Sequence, residues 1–114
     1  MESGTLHILW TSDNLVTAEN MVFMYATNSL RRKWWESVHI ILWGSSIKLL
    51  LENEKLQELL RIFQECGGHV SACKRCAENL GMLEALEAIP GVDVLYIGES
   101  FTEILKSGEK VLSV

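Results

Sequence analysis

The sequence is poor in proline and cysteine, and it has no long apolar run. A single proline and 22% charged residues favour an ordered globular protein over a disordered chain. The longest apolar run, residues 38–43, has the length of a strand, whereas a membrane span needs about 20 apolar residues. Three cysteines in 114 residues are too few for a disulfide framework, and we therefore expect reduced thiols.

Positive charge is also scarce. The chain has 10 lysines and arginines against 15 aspartates and glutamates, which gives a net charge of −5. A general nucleic-acid binder needs a basic surface, so the composition argues against that class. Residues 1–5 lack the basic stretch and apolar run of a secretory signal. We expect a cytoplasmic protein that partners neither nucleic acid nor membrane.

Five short apolar runs alternate with helical patterns along the chain. The runs are strand-like at 5–10, 38–43, 69–72, 92–97 and 110–114. Residues 11–14 can cap a first helix, whose apolar stripe ends near Lys33. The alternation implies parallel strands joined by right-handed crossovers. We predict one domain over residues 1–114, an α/β three-layer sandwich with a mostly parallel sheet of about five strands.

Ligands of such sheets bind beyond the carboxyl ends of the strands. Four predicted loops converge there, and each carries turn or capping residues. The residues predicted to line a pocket at this edge are Ser12, Asp13, Trp43, Gly44, Ser45, Lys74, Arg75, Gly98 and Glu99. Because caps and glycines also occur there simply to make turns, the residue with strong intrinsic chemistry is the cysteine that follows the third strand.

Cys73 is predicted to lie at the N-terminus of a helix, where free N–H groups stabilise a thiolate and lower the pKa of the thiol. Lys74 and Arg75 add positive potential. Cys76 lies three residues further on, on the same helix face, and could form a disulfide with Cys73 or resolve a sulfur adduct on it. We predict these two cysteines as the catalytic pair. Half of a metal site and two buried, inert cysteines are the alternatives.

The spacing Cys66-x2-His69-x3-Cys73-x2-Cys76 is similar to that of a zinc site. If residues 69–72 form a strand, however, Cys66 and Cys73 lie on the order of 20 Å apart at opposite edges of the sheet. Zinc requires its sulfur ligands much closer together. We therefore predict no metal site and no cofactor, with the metal alternative open only if this stretch is not a strand.

The histidines are weaker signals. His7 and His39 lie within predicted strands, where satisfied core or interface residues are more common than ligands. His69 begins the third strand, far from Cys73, so no Cys–His nucleophilic pair is expected.

The four tryptophans fall in two groups. Trp10 and Trp43 end neighbouring predicted strands and are expected to wall a pocket above the sheet. Trp34 and Trp35 are adjacent, so one of them is expected to face outward, as a subunit contact would.

The stretches 34–50, 72–77 and 98–102 together resemble the DsrE-like (DsrE/DsrF-like) family, as a small stand-alone member. The most specific parts are the segment from Trp43 to Ser46 and the cysteine after the third strand. The resemblance implies a flavodoxin-like fold and a homo-oligomer, either a trimer or a hexamer. Relatives pass sulfur as a persulfide on one cysteine, and Cys73 is at the matching position. The presence of Cys76 departs from the sulfur-relay carriers.

The leading hypothesis is therefore a sulfur-handling protein, a sulfurtransferase-type carrier that holds sulfane sulfur as a persulfide on Cys73. Sulfur donor and acceptor proteins are its expected partners. Two other hypotheses remain: a small-ligand or metal-binding module without turnover, and a thiol–disulfide switch that uses Cys73 and Cys76.

Overall fold

Five strands, all parallel, form one sheet at the centre of the fold. The computed structural model describes residues 4–114; residues 1–3, part of the stretch examined for a secretory signal, lie outside the described residues. The strands are β1 (Thr5–Trp10), β2 (Ser37–Leu42), β3 (His69–Cys73), β4 (Val92–Leu95) and β5 (Lys110–Ser113), in the spatial order β4-β3-β2-β1-β5. The predicted α/β class is confirmed, as a flavodoxin-like sandwich.

Helices connect successive strands. They are α1 (Leu15–Thr17), a π-helical segment (Ala18–Phe23), α2 (Met24–Arg31), α3 (Ser45–Leu51), α4 (Glu54–Glu65), α5 (Lys74–Leu80), α6 (Leu83–Glu87) and α7 (Gly98–Lys106). Asn14 caps α1 by accepting the N–H of Thr17. The single helix predicted to end near Lys33 is thus divided by wider π turns, which the apolar periodicity does not indicate.

The strand order explains why the two faces of the sheet differ. The connections from β1 to β4 all step in one direction across the sheet, so right-handed crossovers place α1 to α6 on one face. The connection from β4 to β5 returns across the sheet and places α7 on the opposite face. Within residues 4–114, that second face has one helix, and none of the residues of α7 is fully buried.

The main core lies between the sheet and α1 to α6. Ile8, Ile40 and Phe63 are completely buried there. Trp10 is also fully buried and packs edge-on against Phe23, with ring centroids 5.3 Å apart. The expectation that Trp10 walls a pocket is therefore wrong, because the pleat of β1 directs this side chain into the core.

Of the two adjacent tryptophans before β2, one faces outward, as expected. Trp34 is exposed, whereas Trp35 is partly buried and donates a hydrogen bond from Nε1 to the hydroxyl of Tyr25 at 3.1 Å. Within residues 4–114, no helix has both the length and the apolar character that crossing a bilayer requires.

Candidate functional site

The loops after β1 and β2 are tied together at the carboxyl edge of the sheet. The buried hydroxyl of Ser46 donates to the carbonyl oxygen of Trp10 at 2.6 Å, and the exposed hydroxyl of Ser45 donates to that of Thr11 at 3.1 Å. Gly44 precedes α3 with φ +80° and ψ −138°, a conformation that side chains strongly disfavour. This glycine and these serines therefore hold the loop in place, which is a structural role.

The remaining residues predicted to line a pocket at this edge differ in their exposure to solvent. Asp13 is exposed, whereas the hydroxyl oxygen of Ser12 is buried and has no hydrogen-bond partner among residues 4–114. Trp43, after β2, is half-buried and packs edge-on against Phe101 of α7 at 5.4 Å. Gly98 and Glu99 form the exposed first turn of α7.

Cys73 is both the last residue of β3 and the N-cap of α5. Its Sγ accepts the backbone N–H of Cys76 at 3.3 Å, which satisfies one of the free N–H groups at the start of the helix. The residue Cys73 is only 5% exposed, whereas Cys76 is partly exposed, and both thiols are free. Cys66 caps the C-terminus of α4, beyond the opposite end of β3.

The expected activation of Cys73 by its position is wrong in this resting state. Burial raises the pKa of the Cys73 thiol above its ordinary value, and the neighbouring thiol of Cys76 raises it further. The backbone N–H groups of Cys76 and Arg75 act in the opposite direction but do not outweigh burial. Position at a helix N-terminus is readable in the sequence, whereas the loss of water around the sulfur depends on packing.

Lys74 and Arg75 both lie near the ring of Tyr96, which the sequence did not predict to be part of the site. The Nζ of Lys74 lies 5.3 Å from the centroid of the Tyr96 ring, and the guanidinium carbon of Arg75 lies 5.7 Å from it. The exposed Tyr96 donates its hydroxyl to Glu78 at 2.7 Å, and Arg75 approaches the other oxygen of Glu78 at 3.6 Å. The two cations therefore form part of a cluster beside the cysteine pair.

The three histidines form a row across the second face of the sheet. The strand register places His7, His39 and His69 side by side on β1, β2 and β3. The Nδ1 atoms of His7 and His39 are 2.8 Å apart, and the rings of His39 and His69 stack with centroids 4.6 Å apart. The sequence shows each histidine near the start of a strand but does not give the register that aligns them.

Both ends of the histidine row reach a carboxylate. His7 bonds through Nε2 to Glu109 at 2.7 Å, and His69 bonds through Nε2 to Asp93 at 2.7 Å. His39 bonds instead through Nε2 to the hydroxyl of Ser71 at 2.8 Å. Within residues 4–114, no group of three or more His, Cys, Asp or Glu side chains has an arrangement that could hold a metal ion.

His39 is the member of the row most affected by its surroundings. Burial lowers the pKa of His39 to about 4, and the neighbouring His69 and His7 contribute in the same direction. The carboxylate of Asp93 opposes this shift without cancelling it. His39 is therefore neutral at neutral pH and available as both a donor and an acceptor of hydrogen bonds.

The fold and the site define an α/β sandwich protein with a Cys-x-x-Cys pair at the carboxyl edge of its sheet. No protein-family model matches the chain, and no curated protein matches it. A solved structure, titled as a conserved protein of unknown function, BT1422 from Bacteroides thetaiotaomicron, is 43% identical over 96% of this chain and 94% of that one, with a TM-score of 0.92. The chain belongs to the family of that protein.

Two more distant solved structures show the fold alone. The ychN protein from E. coli is 17% identical, with a TM-score of 0.73 and full coverage of both chains. A protein of unknown function, MTH1491 from Methanobacterium thermoautotrophicum, is also 17% identical, with a TM-score of 0.71 over 97% of this chain and 99% of that one. Both similarities are consistent with a DsrE-like fold.

Proposed function

We propose that this protein handles sulfur, carrying sulfane sulfur as a persulfide on Cys73. The observation that supports the proposal most directly is the contact between Cys73 and Cys76. The Sγ of Cys73 already accepts an N–H at 3.3 Å, in a geometry that suits an anionic sulfur. A second thiol, partly exposed, stands one helical turn away on the same face.

Sulfur transfer at this pair balances without an external oxidant. The Cys73 thiolate attacks the terminal sulfur of a donor persulfide, the S–S bond of the donor breaks, and the donor leaves as a thiolate with the electron pair. The product is a Cys73 persulfide anion. An acceptor thiolate then attacks the outer sulfur and restores the Cys73 thiolate.

Burial of Cys73 has two consequences for this cycle. The thiol is mostly protonated at neutral pH because burial raises its pKa, so a proton must leave before attack. Once formed, the persulfide is shielded from solvent, because only 5% of Cys73 is exposed. The partly exposed Cys76 marks the side from which a donor or an acceptor approaches. Both features suit a carrier more than a rapid catalyst.

Mass spectrometry of the reduced protein after incubation with inorganic polysulfide tests the proposal. We expect an adduct of about 32 Da, one sulfur atom, on Cys73. Cys66→Ser is the matched control, because Cys66 lies beyond the other end of β3, and it should retain the adduct. Cys73→Ser should lose it. If Cys73 is only a structural cap, peptide mapping of the wild type will show no adduct on Cys73 with polysulfide or thiosulfate.

A thiol–disulfide switch is a second candidate, and the same contact between the cysteines favours it. The Cys76 thiolate can attack the inner sulfur of the Cys73 persulfide, which releases hydrosulfide and leaves a Cys73–Cys76 disulfide. A titration against glutathione redox buffers measures this couple. We expect a reversible loss of two hydrogen masses that Cys76→Ser abolishes. If the pair stays reduced in the most oxidising buffer, the switch is ruled out.

The DsrE-like resemblance further supports a single-domain homo-oligomer, a trimer or a hexamer, that acts in the cytoplasm with separate donor and acceptor proteins. The exposed Trp34 is the side chain that we propose lies at a subunit contact. Light scattering on the wild type and on Trp34→Ala measures the assembly. A wild type that remains monomeric at high concentration would contradict this assignment.

A further inference from the structure

One hydrogen-bonded chain crosses the second face of the sheet from Ser71 to Glu109. Its contacts are Ser71 Oγ to His39 Nε2 at 2.8 Å, His39 Nδ1 to His7 Nδ1 at 2.8 Å, and His7 Nε2 to Glu109 Oε1 at 2.7 Å. All three distances are those of ordinary hydrogen bonds. This hydrogen-bond chain thus joins three strands to the segment that precedes β5.

The chemistry of these groups determines which atom donates and which accepts in each of the three hydrogen bonds. A carboxylate only accepts hydrogen bonds, so His7 donates to Glu109 from Nε2. A neutral imidazole has one N–H, and therefore the Nδ1 of His7 accepts from the Nδ1–H of His39. The Nε2 of His39 must in turn accept from the hydroxyl of Ser71. An added proton at the Ser71 end can pass along these bonds to His7, where it is paired with Glu109.

The Ser71 end of this hydrogen-bond chain reaches a small, partly open cavity beneath α7. The cavity is about 20 Å³ in volume and is lined by Ser71 and His39 from the sheet and by Ser100 and Phe101 from α7, among others. That volume is sufficient for one water molecule, and the hydroxyls of Ser71 and Ser100 provide its partners. Glu109, at the other end, is exposed to solvent.

Cys73 lies on the same strand as Ser71, which lines this cavity. It follows Ser71 by two residues on β3, so the two side chains leave the same face of the sheet from Cα atoms about 6.6 Å apart. Water molecules bridge polar groups that lie too far apart to bond directly. The sequence has three histidines, and all of them belong to the row that contains this chain.

We propose that Ser71, His39 and His7 form a proton relay between Cys73 and the surface at Glu109. This inference rests on the proposed function of Cys73. When the thiol loses its proton, a bridging water passes one to Ser71, the hydroxyl proton of Ser71 moves to His39, and the Nδ1 proton of His39 moves to His7. The charge ends as a His7–Glu109 ion pair, and the steps reverse when the acceptor removes the sulfur. The three residues position and move the proton and do not touch the sulfur.

The titratable groups that act on His39 are His7, His69 and Asp93. His69 stacks on His39 and bonds to Asp93, at the side of the row away from Glu109. The side chains of α7 that line the cavity are Ser100, Phe101 and Ile104, none of which titrates near neutral pH. Among residues 4–114, the hydrogen bonds of the relay end at the carboxylate of Glu109.

The test measures how fast methyl methanethiosulfonate modifies Cys73 between pH 6 and 10, in a Cys66→Ser/Cys76→Ser background. This readout does not require a sulfur donor. We expect Ser71→Ala and His39→Gln to slow modification at neutral pH by roughly tenfold or more, and to shift the pH profile to higher pH. Ser71→Thr, which keeps the hydroxyl, should restore the rate. Ser37→Ala is the matched control, since Ser37 bonds to Thr5 on the same face but outside the relay.

Rates and profiles for Ser71→Ala and His39→Gln that equal those of Ser37→Ala would overturn the relay. Imidazole ¹⁵N NMR gives a second readout. We expect the proton of His7 on Nε2 and that of His39 on Nδ1 at pH 7.5, and the opposite tautomers would also overturn it. If the modification rates respond as expected but polysulfide leaves no persulfide on the wild type, the relay stands and the proposed sulfur function fails.

Discussion

The Sγ of Cys73 lies 3.3 Å from the backbone nitrogen of Cys76 and accepts its hydrogen, yet Cys73 is only 5% exposed. The same residue is therefore a helix cap and the candidate nucleophile. These two roles have opposite effects on the thiol, because the N–H group favours the thiolate and burial disfavours it. Burial has the larger effect, and we therefore expect the Cys73 thiol to react slowly at neutral pH.

The two thiols of the pair should react at different rates. Iodoacetamide is expected to modify the partly exposed Cys76 before Cys73, and the modification of Cys73 should still accelerate as the pH rises past 9, because its pKa is raised. Peptide mapping of samples taken over time gives both rates, and the single variants Cys73→Ser and Cys76→Ser assign them. Faster modification of Cys73 at pH 7 would contradict the burial of its sulfur.

His39 should make the folded state sensitive to acid. An unfolded histidine takes up a proton near pH 6.5, whereas folded His39 does so near pH 4, so the unfolded state binds more protons between these values. Stability therefore falls as the pH drops from about 6.5 to 4, by up to about 3 kcal/mol, and is unaffected by this group above that range. Urea unfolding measured at several pH values checks the slope.

Two histidine variants separate the causes of the lowered pKa of His39. His39→Gln should flatten the acid dependence, because it removes the group that resists protonation. His69→Gln should lessen it only in part, since burial contributes more than the charge of His69. An acid dependence unchanged in His39→Gln would assign the effect to other groups.

Gly68 is expected to tolerate no side chain. A Cβ at this position would lie 2.3 Å from the ring of Phe63, which is completely buried in the core. Gly68→Ala should destabilise the protein by about 1 to 3 kcal/mol through overpacking. Gly98→Ala is the control, because its Cβ meets nothing within 4 Å and alanine favours the helix that begins there. Denaturant midpoints should fall for the first variant and hold or rise for the second.

The two serines after Gly44 should differ in their contribution to stability. Ser46→Ala removes a buried hydrogen bond of 2.6 Å to the carbonyl oxygen of Trp10, which retains a bond from the N–H of Trp43, so the cost should be about 1 kcal/mol. Ser45→Ala removes an exposed bond and should cost almost nothing. Equal midpoints for the two variants in thermal unfolding would contradict this assignment.

The element order and the edge that carries the cysteine pair were predictable, because strand length, apolar character and capping residues are local properties. The sequence did not predict that Trp10 points into the core or that Cys73 is buried, since both depend on contacts between distant segments. The alignment of His7, His39 and His69 depends on register, which the periodicity of a single strand does not determine. The strand order explains the single helix on the second face once the return from β4 to β5 is known.

Cyanide treatment measures most directly whether Cys73 carries sulfane sulfur. Cyanide removes the outer sulfur of a persulfide as thiocyanate and leaves the thiolate, so the thiocyanate released counts the sulfur held. After loading with polysulfide and desalting, the wild type and Cys66→Ser are expected to release equal amounts, close to one per chain, and Cys73→Ser none. Equal release from Cys73→Ser, or none from the wild type, would contradict the account.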